Sequence, residues 1–132
     1  MIDLSNYSHY PQVPKAWGRE IWLTNTPQYC AKLLVLNPDW QCSLHKHLVK
    51  DETFFVLEGS ALIELGDYRE DPEVFYKVYK TGDTVRVPTG TFHRFANPYS
   101  SQVVLLEIST THSDEDVERL EESKPLVRFK IS

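Results

Sequence analysis

Most of the chain alternates short apolar runs with turn chemistry. Nine such runs predict strands: 20–23, 29–36, 42–47, 53–59, 61–65, 74–79, 84–88, 93–97 and 103–109. They are rich in Val, Tyr, Phe, Ile and Thr, and Asn-Pro, Glu-Gly and Gly-Asp pairs punctuate them. Close spacing of short strands predicts an all-β antiparallel sandwich or barrel. One stretch breaks the pattern: in "SDEDVERLEES" Ser113 and Asp116 stand as a capping box ahead of Val117 and Leu120, which share a helical face. A short C-terminal helix is therefore expected there. Residues 1–15 form a polar arm rich in proline and tyrosine, laid over the domain or onto a second subunit, and 16–132 form one domain.

Length and charge narrow the function. A chain of 132 residues buries a core without staples. Its net charge of −5, without a basic stripe, argues against nucleic acid as a partner. No apolar run reaches the ~20 residues of a membrane span, and the N-terminus lacks the basic start and apolar stretch of a signal peptide. Cys30 and Cys42 have neither metal-ligand spacing nor disulfide density, so reduced thiols in a cytoplasmic protein are expected.

The candidate chemistry sits in "HKHLVKDE", residues 45–52. Residues two apart on a strand share a face, so Ser43, His45 and His47 point together, and Glu52 opens the next strand beside Phe54 and Val56. Imidazole and carboxylate together suit divalent transition metals, and the missing thiolate argues against a structural zinc site. A second segment, residues 82–97, turns at Pro88, Thr89 and Gly90 and brings His93 onto a face with Phe95 and Asn97. A histidine outside such a constellation is ordinarily hydrogen-bonded or on the surface, and His9 and His112 are read that way. Arg86 and Arg94, flanking the second segment, are suited to bind a phosphate or carboxylate, but surface exposure is the favoured reading.

Together the two segments resemble the paired motifs of the cupin superfamily. G-x5-H-x-H-x4-E-x6-G is matched by His45, His47, Glu52 and Gly59, with Asp39 where the motif opens on glycine. G-x5-P-x-G-x2-H-x3-N is matched by Gly82, Pro88, Gly90, His93 and Asn97. The resemblance implies a double-stranded β-helix, or jelly-roll barrel, holding one divalent metal (Zn, Mn or Fe) through His45, His47, Glu52 and His93. "KAWGRE", Lys32 and the tail with Glu107 and Arg119 are similar to the cupin module of type II phosphomannose isomerases. That family has glutamine where this chain has His45, and the His-x-His form with an upstream lysine looks more like D-lyxose isomerases.

These resemblances imply a sugar or sugar-phosphate ligand and aldose–ketose isomerisation, with Glu107 as proton carrier and Lys32 steadying the enediolate. A Lys32–Glu107 salt bridge is the competing reading of that pair. Two other functions share the ligands: an Fe(II) dioxygenase and a non-catalytic sugar-binding cupin. The strand at 29–36 is apolar on both faces apart from Lys32, so its outer face needs cover, and a homodimer is the expected way to supply it.

Overall fold

A computed structural model describes residues 2–66 and 74–126; the last residues of the expected domain, 127–132, lie outside it. Among the described residues, a 3₁₀ turn at Leu4–Tyr7 precedes thirteen strands. They are β1 (Gln12–Lys15), β2 (Gly18–Asn25), β3 (Tyr29–Leu36), β4 (Trp40–Gln41), β5 (Leu44–Lys46), β6 (Glu52–Glu58) and β7 (Ser60–Gly66), then β8 (Val74–Lys80), β9 (Thr84–Val87), β10 (Phe92–Asn97), β11 (Val103–Thr110), β12 (Glu118–Glu121) and β13 (Lys124–Pro125). One antiparallel sheet runs β1-β2-β3-β11-β6-β9. The other runs β12-β5-β10-β4-β13, with β7 also on β10 and β8 on β7. The all-β expectation holds, and each of the nine expected strands is present.

Alternation along the strands decides what each face buries. On β3, Leu34 and Leu36 join Trp17, Phe54, Val56, Ile63, Phe95 and Leu105 in a cluster between the sheets. Burying such side chains contributes about 1.5–3 kcal/mol each. Phe95 anchors it, edge-on to Trp17 at 5.0 Å and to Phe54 at 6.0 Å between ring centres. The other face of β3 gives Leu33 and Val35, which cluster with Ile21 and Val104 on the outside of the same sheet. Ile2, Leu4, Tyr7 and Tyr10 pack over them, and the Ile2 amide donates to Glu58 (2.9 Å). The arm thus lies on its own domain, and its side chains pack over the outer face of β3.

Two backbone positions explain motif residues. Asp39 adopts φ 65°, the left-handed region that favours glycine and tolerates Asp, so the motif's opening turn is made without its glycine. Gly18, with φ 151°, leaves no room for a Cβ against the Val35 carbonyl. Asn97 is a staple: its amide donates to the carbonyls of Leu36 (3.1 Å) and Ser101 (2.8 Å), and its Oδ1 accepts from the Tyr99 amide (3.1 Å).

The expected helix at 113–123 is absent. Residues 113–116 form a turn, closed by the Asp116 amide on the Ser113 carbonyl (3.1 Å), and the chain continues as β12. Two apolar residues in eleven bury too little to hold a helix, whereas β5 has an open edge that β12 pairs, placing Glu118 opposite Lys46. Lys46 and Glu118 make an ion pair there at 3.1 Å. Leu120 is exposed rather than docked on the sheet.

Candidate metal centre

Four adjoining strands and loops bring the predicted ligands together. β10 runs antiparallel to β5 with His93 directly opposite His45. His47 follows β5, and Glu52 opens β6 on the inward face with Phe54 and Val56. The ring nitrogens of His45, His47 and His93 lie within 4.8 Å of one another. The turn at 88–91 braces this region, since the Gly90 amide donates to the His47 carbonyl (2.9 Å) and the Thr89 hydroxyl to the Val49 carbonyl (3.0 Å).

Hydrogen bonding fixes which nitrogen each imidazole presents. Nδ1 of His45 meets the Ser43 carbonyl (2.8 Å), that of His47 the Asp116 carbonyl (3.0 Å), and that of His93 the Thr91 carbonyl (3.1 Å). A carbonyl only accepts, so Nδ1 carries the hydrogen and Nε2 is left with its lone pair. Glu52 Oε1 stands 2.7 Å from His93 Nε2 and 3.4 Å from His47 Nε2. Both Glu52 oxygens are buried without a hydrogen bond. Imidazole nitrogens facing a carboxylate at such distances repel it unless a proton or a metal cation lies between them. Ligand bonds near 2.1 Å place neighbouring donor atoms about 3 Å apart, so the donor set fits a divalent transition metal.

Electrostatics agree with this arrangement. Burial, then the neighbouring His93, pushes the His45 imidazole down to about 3, which keeps it neutral and able to ligate. Burial alone would raise Glu52, but the imidazoles of His47 and His93 and the Lys50 ammonium hold its carboxyl well below the usual range.

A cavity of about 310 Å³ opens over these residues. Lys32 and Glu107 both line it, and both are buried. They are direct partners across β3 and β11, but each makes its ion pair elsewhere, not with the other as the competing reading had it. Lys32 pairs with Glu20 at 3.7 Å and sits over the Trp22 ring at 4.5 Å, while Glu107 meets Lys50 at 3.4 Å. Lys50 is equally 3.4 Å from Glu52, bridging the candidate ligand and the candidate base. Its two carboxylates outweigh burial and raise its pKa. Burial, then the Glu52 charge, raises Glu107.

Sequence reasoning missed Lys50, whose signal was a charge two residues before Glu52. It also set aside His112, which lines the cavity, donates from Nε2 to the Asp114 carboxylate at 2.7 Å, and lies edge-on to Trp22. Arg119 also lines the cavity, opposite His45 in register. Arg86 is exposed and paired with Asp51, as read; Arg94 is mostly covered and pairs with Glu64 and Glu121. Both cysteines are free and buried.

Residues 32–109 match the family model described as a cupin domain. The chain belongs to the cupin family. It is 25% identical over 101 residues to the mannose-1-phosphate guanylyltransferase of Sinorhizobium fredii, covering 76% of this cupin and 18% of that protein. It is 37% identical over 79 residues to an uncharacterized protein of Methanocaldococcus jannaschii, covering 59% of this chain and 58% of that one. The cupin thus spans about a fifth of the length of the guanylyltransferases it matches. Among solved structures, the capsular polysaccharide assembling protein CapF of Staphylococcus aureus superposes with a TM-score of 0.72 at 20% identity, covering 92% of this chain and 33% of that one. A structure of Bacillus subtilis oxalate decarboxylase, described for its Mn(II) centres, superposes with a TM-score of 0.72 at 18% identity, over 86% of this chain and 31% of that one. At these identities the two structures speak to the fold. Among the described residues no helix is long and apolar enough to cross a membrane.

Proposed function

We propose that this cupin is a metal-dependent sugar isomerase interconverting an aldose and a ketose, of the mannose-6-phosphate or lyxose type. The reading places one divalent ion (Zn, Mn or Fe) on His45, His47, Glu52 and His93. One observation carries it: Glu107, a carboxylate raised by burial, lines the same cavity as the ligand cluster with the Lys50 cation 3.4 Å away. A buried carboxylate with a raised pKa beside a ligand cluster favours proton transfer over binding alone. Relatives named for mannose 1-phosphate and for capsular polysaccharide assembly favour a carbohydrate ligand.

When bound, the ion supplies Lewis-acid polarisation of the two oxygens on adjacent sugar carbons. Glu107 takes the proton from carbon 2 of the aldose and returns it to carbon 1, while the hydroxyl proton passes from the oxygen on carbon 2 to that on carbon 1. Lys50 and Lys32 face the negative charge of the enediolate between these transfers. Glu20 and Trp22 hold Lys32 in place. Leu34, Phe54 and Phe95 on the cavity wall limit water at the reacting carbons. A screen of free and phosphorylated aldoses against ion-loaded and chelated protein tests the assignment. Interconversion that stops on chelation is expected; a loaded protein that binds sugars without interconverting any of them refutes it.

A further inference from the structure

The turn ahead of β12 does more than end the barrel. Asp116 reaches across to the loop between the second histidine and Glu52. Its Oδ1 accepts from the amides of Leu48 (2.9 Å) and Val49 (2.7 Å), and its Oδ2 from that of Lys50 (2.9 Å). Its own backbone carbonyl accepts the Nδ1 hydrogen of His47 at 3.0 Å. One residue therefore occupies three consecutive loop amides and orients an imidazole from a sequence distance of 69 residues.

We infer that Asp116 is the positioning residue of the centre, acting through His47. The carboxylate holds the 48–50 loop, and that hold fixes where the residue's own carbonyl lies against His47. Without the carboxylate, three loop amides lose their acceptor and the carbonyl that selects the His47 tautomer loses the anchor that places it. Charge-assisted hydrogen bonds of this kind are short and roughly twice as strong as neutral ones, and partners that orient a ligand typically govern 10- to 100-fold of metal affinity. The other two imidazoles do not share this dependence, because His45 and His93 donate to carbonyls two residues before them, just ahead of their own strands. The inference rests on His47 acting as a metal ligand and is independent of the isomerase assignment.

The test has an ion-free arm and an ion-bound arm. In metal-free protein, the Nδ1–H protons of His45, His47 and His93 are assigned by NMR in wild type and Asp116→Ala. Loss of the His47 signal alone is expected. Titration with Co(II), read by its visible spectrum, is expected to show affinity about 10- to 100-fold weaker in Asp116→Ala, with Asp116→Asn, which keeps one acceptor oxygen, in between. In a His47→Ala background, Asp116→Ala should cause no further loss of Co(II) affinity, because the coupled partner is gone. If Asp116→Ala does not fold, Asp116→Asn carries the same comparisons. A persisting His47 signal, Co(II) affinity within two-fold of wild type, or an undiminished loss in the His47→Ala background overturns the inference. Each of these outcomes leaves the sugar chemistry to its own experiment.

Discussion

Lys32 and Glu107 stand directly opposite each other on β3 and β11, buried in one cavity, yet each charge is answered elsewhere. Lys32 is held by Glu20 and the Trp22 ring, and Glu107 by Lys50. Neither is consumed by the other, and that leaves Glu107 available for proton transfer. Glu107→Gln keeps the shape and removes the proton site. The variant is expected to keep its fold and one ion per chain while turnover falls about 100- to 10,000-fold, the usual worth of a positioned base. Elemental analysis and initial rates check this. Turnover within a few fold of wild type removes Glu107 from the mechanism.

Lys50 is the countercharge of two buried carboxylates, and Lys50→Met leaves both without it. Removing one member of a buried ionic cluster costs about 3–5 kcal/mol. The loss should be largest at neutral pH. Glu107, with its raised pKa, becomes neutral as pH falls through its folded value, so acidification relieves part of the penalty. Urea unfolding of metal-free protein at pH 7 and pH 5 measures the difference, and an equal loss at both pH values contradicts this role for Glu107.

His45 sets an acid limit on the metal-free fold. In the unfolded chain its imidazole takes a proton near 6.5, but in the folded protein only near 3. The stability tied to its neutral form is complete above pH 6.5 and drains as pH falls toward 3, by about 1.4 kcal/mol per pH unit while only the unfolded chain binds the proton. His45→Gln lacks this dependence. The gap between the two unfolding curves from pH 7 to pH 4 isolates the effect, and parallel curves count against a buried neutral imidazole.

Asp39 offers a test of backbone strain. Glycine is at ease at its left-handed φ of 65°, whereas a β-branched side chain costs roughly 1–2 kcal/mol there. Asp39→Val is expected to fall below Asp39→Gly by that amount in thermal unfolding. Equal destabilisation by both substitutions indicates that the Asp39 side chain, not φ, is what the turn needs.

What the sequence made legible followed from period. Strands with one buried face, such as β6 and β9, carry alternation, and the ligand spacings of two motifs survive as direct geometry. β12 is exposed throughout, so no apolar rhythm marked it, and a capping-box pattern read as a helix. The same Asp116 serves instead as acceptor for three amides of a loop far away in sequence, a partnership that only the folded chain creates. Lys50 and His112 escaped for a related reason: their burial comes from strands distant in sequence, and neither sits in an apolar run.

The most direct measurement of the account is solvent hydrogen exchange into sugar. Ion-loaded protein is incubated in D2O with a panel of free and phosphorylated aldoses and ketoses, and the sugar C–H positions are followed by NMR. The account predicts that deuterium enters carbon 1 or carbon 2 of at least one sugar, with interconversion to its partner, and that both stop on chelation. A protein that holds one ion per chain and exchanges no carbon-bound hydrogen in any sugar of the panel contradicts it.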